Sequence, residues 1–307
     1  MADDRHSKAL ASPAWLWALF CATLAAAGVL LWHTWDRVQL AERPPAAVDP
    51  RAAGTATKAS AMLSLAGSGS NLPLTRRLLD AFAKDRPGAM FVLHDSIGSS
   101  GGVRAVRDGA VDIGLISRGL KPKEPGDLQI IPYARTEVVL VAHPSVPEQE
   151  LDQASLLELF AGRKSAFGNS RSAVVFLREP GDSSHAALER AWPEFAASCR
   201  AAHAERRFRV LFSDQALLRA VADTPGAVGL SDRGQVRLFA PGLRMVEMRS
   251  GRGREAAPVT KDLAFVVRPE PSDAVRKFLD FVFSDEGRRV IEDAGYFFLA
   301  PGARPWE

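Results

Sequence analysis

The sequence predicts an α/β fold, a sheet covered by helices, standing beyond an apolar N-terminal segment. Three observations carry this reading. Beyond residue 60, strand-like apolar runs alternate with runs of helical apolar spacing. Three Gly- and Ser-rich segments, Gly67-Ser68-Gly69-Ser70-Asn71, Gly98-Ser99-Ser100-Gly101-Gly102 and Gly181-Asp182-Ser183-Ser184, each sit where a strand-like run gives way to a helix-like one. The run from Ala14 to Trp32 holds nineteen residues without a charge.

At about 1.5 Å per residue that run would span roughly 28 Å as a helix, close to a bilayer core. Trp15 and Trp17 flank one end and Trp32 and Trp35 the other, the interfacial positions that indole rings prefer. The expectation is an uncleaved transmembrane helix over 14–35, with residues 1–13 on the cytoplasmic side. A cleavable signal peptide is the rival, disfavoured by the length of the apolar run and by the lack of a small-x-small site directly after Trp35. Residues 36–60, rich in Ala and Pro, read as a linker, since Pro44, Pro45 and Pro50 oppose a helix.

From Met62 the elements follow in order. Met62–Ala66 reads as a strand, Pro73–Asp85 as a helix with Leu74, Leu78, Leu79 and Phe82 on one face, and Met90–Leu93 as a strand. Gly101–Asp108 reads as a helix, Val111–Ile116 and Glu137–Ala142 as strands, Leu151–Phe160 as a helix and Ala173–Arg178 as a strand. Ser183–Ala197 reads as one helix with a stripe of Ala186, Leu188, Ala191 and Phe195. A short apolar run with glycines near residue 226, a late buried strand Leu263–Val267 and an amphipathic helix pair over Pro271–Ala294 close the chain.

With 307 residues and 47% hydrophobic content the chain can bury a substantial core. A net charge of +3 with scattered Lys and Arg gives no basic stripe for a nucleic-acid backbone, so no nucleic-acid partner is expected. Its two cysteines, Cys21 and Cys199, form no C-x-x-C pair, and His, Cys and carboxylates do not cluster at metal-ligand spacing. No metal site or cofactor is expected. The sequence also holds no Gly-x-Ser-x-Gly elbow, His-Glu-x-x-His or Walker A loop, so no catalytic residues are assigned and a non-enzymatic role is expected. Helix starts carry unpaired N–H groups and partial positive charge, so three converging Gly/Ser segments could hold an oxyanion with neutral donors.

The block Ile97-Gly98-Ser99-Ser100-Gly101-Gly102-Val103, followed by Gly109-Ala110-Val111-Asp112-Ile113-Gly114-Leu115-Ile116-Ser117-Arg118, resembles the phosphate-binding proteins of bacterial ABC importers, within the type II periplasmic binding proteins. Weaker blocks, Gly67–Pro73, Arg178–Ser184, Pro225–Leu230 and Phe278–Tyr296, follow in the family's order, and the resemblance covers about Leu63 to Leu299. It implies two α/β lobes joined by a hinge over residues 61–307, lobe one comprising about 61–141 and 231–307 and lobe two about 142–230, with a ligand clasped between them.

The resemblance also implies roles for individual residues. Ser99 matches a position that donates hydroxyl and backbone N–H bonds to a phosphate oxygen, and would serve equally as a helix N-cap. Arg178 matches an arginine that contacts the anion through its planar fork of donors. Ser183 and Ser184 match hydroxyl donors, Asn71 takes the place of a usual threonine and can donate through its amide, and Ser70 and Ser117 are expected to contact the ligand as well, Ser70 serving equally as a helix cap. Asp182 reads as a cap, since it would repel an anion. Arg118 departs from the pattern. It replaces an aspartate that accepts the proton of hydrogen phosphate and would instead supply the anion with a second positive charge, which leaves the choice among phosphate, sulfate and molybdate open. The implied function is a membrane-tethered extracytoplasmic solute-binding protein that captures phosphate or a similar tetrahedral oxyanion and presents it to an ABC permease. The alternative is a ligand-sensing regulatory module on the same fold, reporting to a membrane sensor.

Overall fold

A computed structural model describes residues 62–124, 126–249, 258–302 and Trp306. The segments expected as anchor and linker lie outside the described residues. Among the described residues, no helix is long and apolar enough to cross a membrane.

The chain opens with a βαβαβ unit. Strand β1 (Leu63–Gly67) leads to helix α1 (Leu72–Lys84), β2 (Phe91–Leu93), α2 (Gly98–Arg107) and β3 (Ile113–Ile116). Both β2 and β3 pair in parallel with β1, giving the order β2-β1-β3. The chain crosses from β1 to β2 on one side and then from β2 past β1 to β3 on the other, which creates a topological switch point at the carboxyl ends of β1 and β3, where open α/β sheets place ligands. Gly102 makes the crossover compact: a Cβ there would lie 2.9 Å from Gly67 Cα and 3.0 Å from the Ala66 and Leu115 carbonyl oxygens.

Strand β4 (Gln129–Ala142) links two sheet halves. Its first part, through Glu137, pairs antiparallel with β10 (Thr260–Val267), which in turn pairs with β3. From Val138 onward it pairs with β8 (Ala227–Asp232), and at Leu140–Ala142 also with β9 (Arg244–Arg249). The second half continues through β6 (Val174–Arg178) to β7 (Arg209–Leu211), parallel to one another. Two short strands complete the set: β5 (Glu150–Asp152) pairs with β9, and β11 (Phe297–Phe298) with β4.

Strand alternation sends successive side chains to opposite faces, so each half has two apolar clusters. Leu63, Leu65, Ile113, Leu115, Leu263 and Phe265 pack under α1 and the closing helices α8 (Asp273–Val282) and α9 (Asp285–Asp293). Ala66, Ile116, Ala264 and Val266 pack under α2. In the other half, Val138, Leu140, Val175, Leu177, Val228 and Leu230 face α3 (Gln153–Phe160), α4 (Ser183–Ala191) and α5 (Pro193–Ala204). Val139, Val141 and Phe176 face α6 (Asp214–Asp223) and α7 (Arg233–Phe239). By core, the chain crosses from the first lobe to the second at Glu137/Val138 and returns between β9 and β10. Strands β8 and β9 contribute to the second lobe's clusters, and α7 contributes Val236 to one of them while its Leu238 packs against the first core.

Several elements depart from the sequence reading. The helix expected over Ser183–Ala197 is two helices: Trp192 is extended (φ −130°, ψ 92°), as the residue before Pro193 must be, so the chain stops and restarts there. The apolar stripe shifts accordingly, and Ala187 and Leu188 are buried where Ala186 and Ala191 are not. Helix α2 begins three residues before Gly101, and β4 starts eight residues before Glu137, where Pro132 and Arg135 interrupt the apolar run although Ile131, Tyr133 and Ala134 enter the core. Asp112 Oδ2 accepts from the Ser64 N–H (2.9 Å) and hydroxyl (2.7 Å), tying β3's approach to β1.

Candidate anion-binding cleft

A cleft of about 190 Å³ lies between the carboxyl ends of β1 and β3 on one side and those of β6 and β7 on the other. From the first lobe it is lined by Ser68, Gly69 and the start of α2, with Arg104, Arg118 and Lys121. From the second it is lined by Arg178, the Glu179–Ser183 turn and Asp214. All three Gly/Ser segments therefore meet at one place.

Their helix starts differ in capping. Helices α1 and α2 begin without a side-chain cap, at Asn71 and Ile97. In contrast, Asp182 caps α4 by accepting from Ser184 N (3.0 Å) and His185 N (3.1 Å). Ser213 likewise caps α6. The cap occupies the Ser184 and His185 N–H groups of the second lobe, while in the first lobe α2 directs its uncapped first turn, Gly98 to Ser100, into the cavity.

Arg178 sits at the end of β6, 4% exposed. Its Nη1 meets Asp214 Oδ1 at 2.6 Å and Asp182 Oδ2 at 3.3 Å, and its Nε and Nη2 form a fork onto Glu179 at 2.9 and 3.0 Å. The Leu211 carbonyl accepts from Nε as well, at 3.1 Å. Burial works against the charge on this guanidinium, but Asp214, Asp182 and Glu179 outweigh it and raise its pKa. Burial pushes Asp182 up, yet hydrogen bonding from His185 and the charge of Arg178 prevail and hold its carboxyl well below the usual range. Arg178 thus reaches the cleft as a largely neutralised donor.

Arg118 is also committed. Its two terminal nitrogens hold Glu124 in a fork at 2.6 and 2.8 Å, and they donate to Ser100 Oγ (2.8 Å) and the Gly119 carbonyl (2.7 Å). The hydrogen bonds from Arg118 pull the Glu124 carboxyl down to about 2. Arg104 and Lys121 line the same wall with no carboxylate partner among the described residues, and Lys121 Nζ donates to Ser100 Oγ at 3.3 Å.

Of the residues selected from the sequence, Ser99, Arg118, Arg178 and Ser183 line the cleft. Ser70, Asn71, Ser117 and Ser184 stand behind the wall, each at most 1% exposed. Ser117 Oγ lies 2.7 Å from Ser68 Oγ, and its N–H donates to Ser99 Oγ at 3.3 Å. Asn71 turns into the core. Its amide nitrogen donates to the Ile116 carbonyl at 3.1 Å and lies 3.4 Å from Tyr133 Oη and the Ala264 carbonyl, so it braces α1 against β3 and β10. His185 is buried, with Nδ1 3.1 Å from Asp182 Oδ1 and its ring near Phe160 and Phe195.

Sequence reasoning missed Lys261, Asp232 and Asp214. Lys261 Nζ donates to Ser70 Oγ (2.7 Å), Ser184 Oγ (2.8 Å) and Ser183 Oγ (3.1 Å). Asp232 Oδ2 lies 3.2 Å away, an ion contact without hydrogen-bond alignment, and burial raises the Asp232 carboxyl. A signal existed for Lys261 and Asp232. Lys261 shares strand parity with Leu263 and Phe265, and Asp232 with Val228 and Leu230, so each had to face the interior.

The model of the PBP superfamily domain matches residues 52–286, more than half of the chain. The chain belongs to the PBP superfamily. A curated relative, phosphate-binding protein PstS 2 of Streptococcus pneumoniae serotype 4 (strain ATCC BAA-334 / TIGR4), is 31% identical over 109 residues. That match spans 36% of this chain and 37% of the relative, little more than a third of its length. Among solved PBP-like structures, a candidate phosphate ABC transporter substrate-binding protein from Clostridium perfringens, solved with bound phosphate, superposes with a TM-score of 0.65. It has 20% identity and covers 78% of this chain and 100% of that one. An ABC-type phosphate transport receptor from Vibrio cholerae gives a TM-score of 0.54 at 16% identity over 76% and 99% of the two chains. A reduced form of OxyR from N. meningitidis also gives 0.54, at 13% identity over 78% and 99%. At these identities the superpositions establish the fold alone.

Proposed function

We propose that this chain is an extracytoplasmic solute-binding protein that captures phosphate or a related tetrahedral oxyanion for an ABC importer, tethered to the membrane by the apolar segment 14–35. One observation carries the ligand class: the uncapped first turn of α2 opens into a cleft whose far wall presents Arg178. The anion would rest on N–H groups of the first lobe, with Ser99 and Ser183 hydroxyls at its sides and Arg104 and Lys121 supplying attraction at the rim. Closure would replace its hydration shell with these donors, without bond chemistry. The local sequence match to a phosphate-binding relative supports the same reading.

Because Arg118 is neutralised by Glu124, it adds hydrogen-bond geometry more than charge, and selectivity among oxyanions would come from the number of donors the cleft offers. Calorimetric titration of the full chain in detergent with phosphate, sulfate and molybdate tests the proposal. Heat of binding with phosphate is the expected result, and no binding of any of the three would remove it. A sensory role on the same fold is the second reading, favoured by the uncharged run Ala14–Trp32, which would keep the domain beside a membrane partner. Uptake of labelled phosphate lost on deletion of the gene supports the importer; unchanged uptake with altered gene expression supports the sensor.

A further inference from the structure

Lys261 stands at the start of β10, where the chain has just returned to the first lobe, and is 3% exposed. An ammonium has three hydrogens. Here one goes to Ser70, which precedes α1 in the first lobe, and two go to Ser183 and Ser184, which begin α4 in the second. All three donors are thereby used across the boundary between the lobes, while Asp232 at the end of β8 balances the charge at 3.2 Å. Nothing in either core requires this arrangement: a lysine whose partners were structural could have satisfied itself within one lobe. A buried cation bridging both lobes beneath the cleft holds together the two halves of the candidate site.

We propose that Lys261 is the positioning residue of this cleft, clasping the α1 start to the α4 start so that Ser183 is already set against the first-lobe donors when ligand arrives. This deepens the oxyanion reading, and its clasping action is independent of which ligand enters. A clasp raises the fraction of molecules in the binding-competent closed form. If its removal lowers that fraction to about a tenth, the apparent dissociation constant rises about tenfold. Two features suit the test. Asp232 would be left buried beside a neutral residue in Lys261→Met alone, so the test variant is Lys261→Met with Asp232→Asn. The asparagine retains the Oδ1 that caps α7 through Gln235 N at 2.9 Å. Ser184→Ala, with the Lys261–Asp232 pair intact, removes a single clasp contact and serves as the milder second variant.

The measurement pairs phosphate titration with a pulsed electron-electron distance between spin labels at Asp80→Cys on α1 and Arg200→Cys on α5, both exposed positions. It uses the full chain in detergent, with Cys21→Ala and Cys199→Ala. The double variant is expected to bind phosphate roughly tenfold or more weakly. Its ligand-free distances should be longer and broader than those of the parent, returning to the parent value at saturating phosphate; Ser184→Ala should lie between. Unchanged ligand-free distances in the double variant overturn the inference whether or not affinity falls. If the parent binds no oxyanion, the ligand reading fails, and the ligand-free distances alone decide the clasp: longer in the variant sustains it, equal overturns it.

Discussion

Arg178 Nη1 and Asp214 Oδ1 meet at 2.6 Å, with both side chains buried at the end of β6 and the start of α6. Were Arg178 a ligand contact alone, Arg178→Ala would abolish oxyanion binding and leave the fold intact. The ion cluster changes the second half of that expectation, because removing the guanidinium leaves Asp214 and Asp182 buried without their counter-charge. Breaking a buried pair from one side typically costs about 3–5 kcal/mol. Arg178→Ala is therefore expected to lose oxyanion binding and also to lower the urea midpoint substantially. Arg178→Lys should recover part of the stability but little of the affinity, since an ammonium cannot reproduce the fork onto Glu179. An Arg178→Ala protein of parental stability would contradict the network.

The Arg118–Glu124 pair gives a prediction in pH. Its folded carboxyl titrates at about 2 against an ordinary 4.5, so the shift is downward. A depressed carboxylate adds stability that is fully present above the unfolded value and is lost as pH falls through the folded one. The difference in unfolding free energy between the parent and Arg118→Gln should therefore be constant above about pH 5 and shrink toward zero as pH falls from 4.5 to about 2. Denaturant titrations at several pH values check this, and a difference that stays level through that window would show that the pair contributes nothing through its charge.

Asn71 separates scaffold from site. Its amide donates into the junction of β3 and β10, and its Oδ1 has no partner among the described residues. Asn71→Ala leaves buried carbonyls without a donor and is expected to cost about 1–3 kcal/mol. Oxyanion affinity of the folded fraction should stay within about twofold of the parent, well under the tenfold that 1.4 kcal/mol would produce. Equilibrium unfolding and titration calorimetry on the same preparation test both halves, and a large affinity loss would return Asn71 to the ligand-contact role expected of it.

Residue patterns carried much of this organisation and failed at identifiable points. Local apolar periodicity located α1, β3, β6, β10 and the closing helix pair, because each buries one face. It merged α4 with α5, although Pro193 carried the signal for the break, and passed over β7, which is three residues long, and β9, which is half-exposed. The three Gly/Ser segments converge on one cleft, yet the charge balance of that cleft was illegible in a linear reading. Glu124, Glu179 and Asp214 neutralise the two arginines from 6, 1 and 36 positions away in sequence, and only the second is a neighbour. Lys261 is the sharpest case, reaching Ser70 across 191 positions. Strand parity could have marked it as inward-facing, but which serines it meets depends on how two lobes close.

Closure itself is testable at Gly69. A Cβ at this position would be driven into Asp214 Oδ2 and lie 3.2 Å from Ser96 Oγ, so the first lobe approaches the second here through bare backbone. Asp214 cannot swing aside cheaply, because Arg178 holds its other oxygen at 2.6 Å. Gly69→Ala should therefore push the lobes apart, since overpacking a tight contact costs about 1–3 kcal/mol and opening is the softest way to relieve it. Phosphate affinity is expected to fall by roughly fivefold or more, an energy of about 1 kcal/mol, with little change in the unfolding midpoint. The companion Gly69→Ala with Asp214→Ala removes the obstacle along with the carboxylate. If steric contact between these two residues sets the closed spacing, Gly69→Ala should weaken binding far less in the Asp214→Ala background than in the parent. Equal losses in both backgrounds would place the effect of the methyl group somewhere other than Asp214.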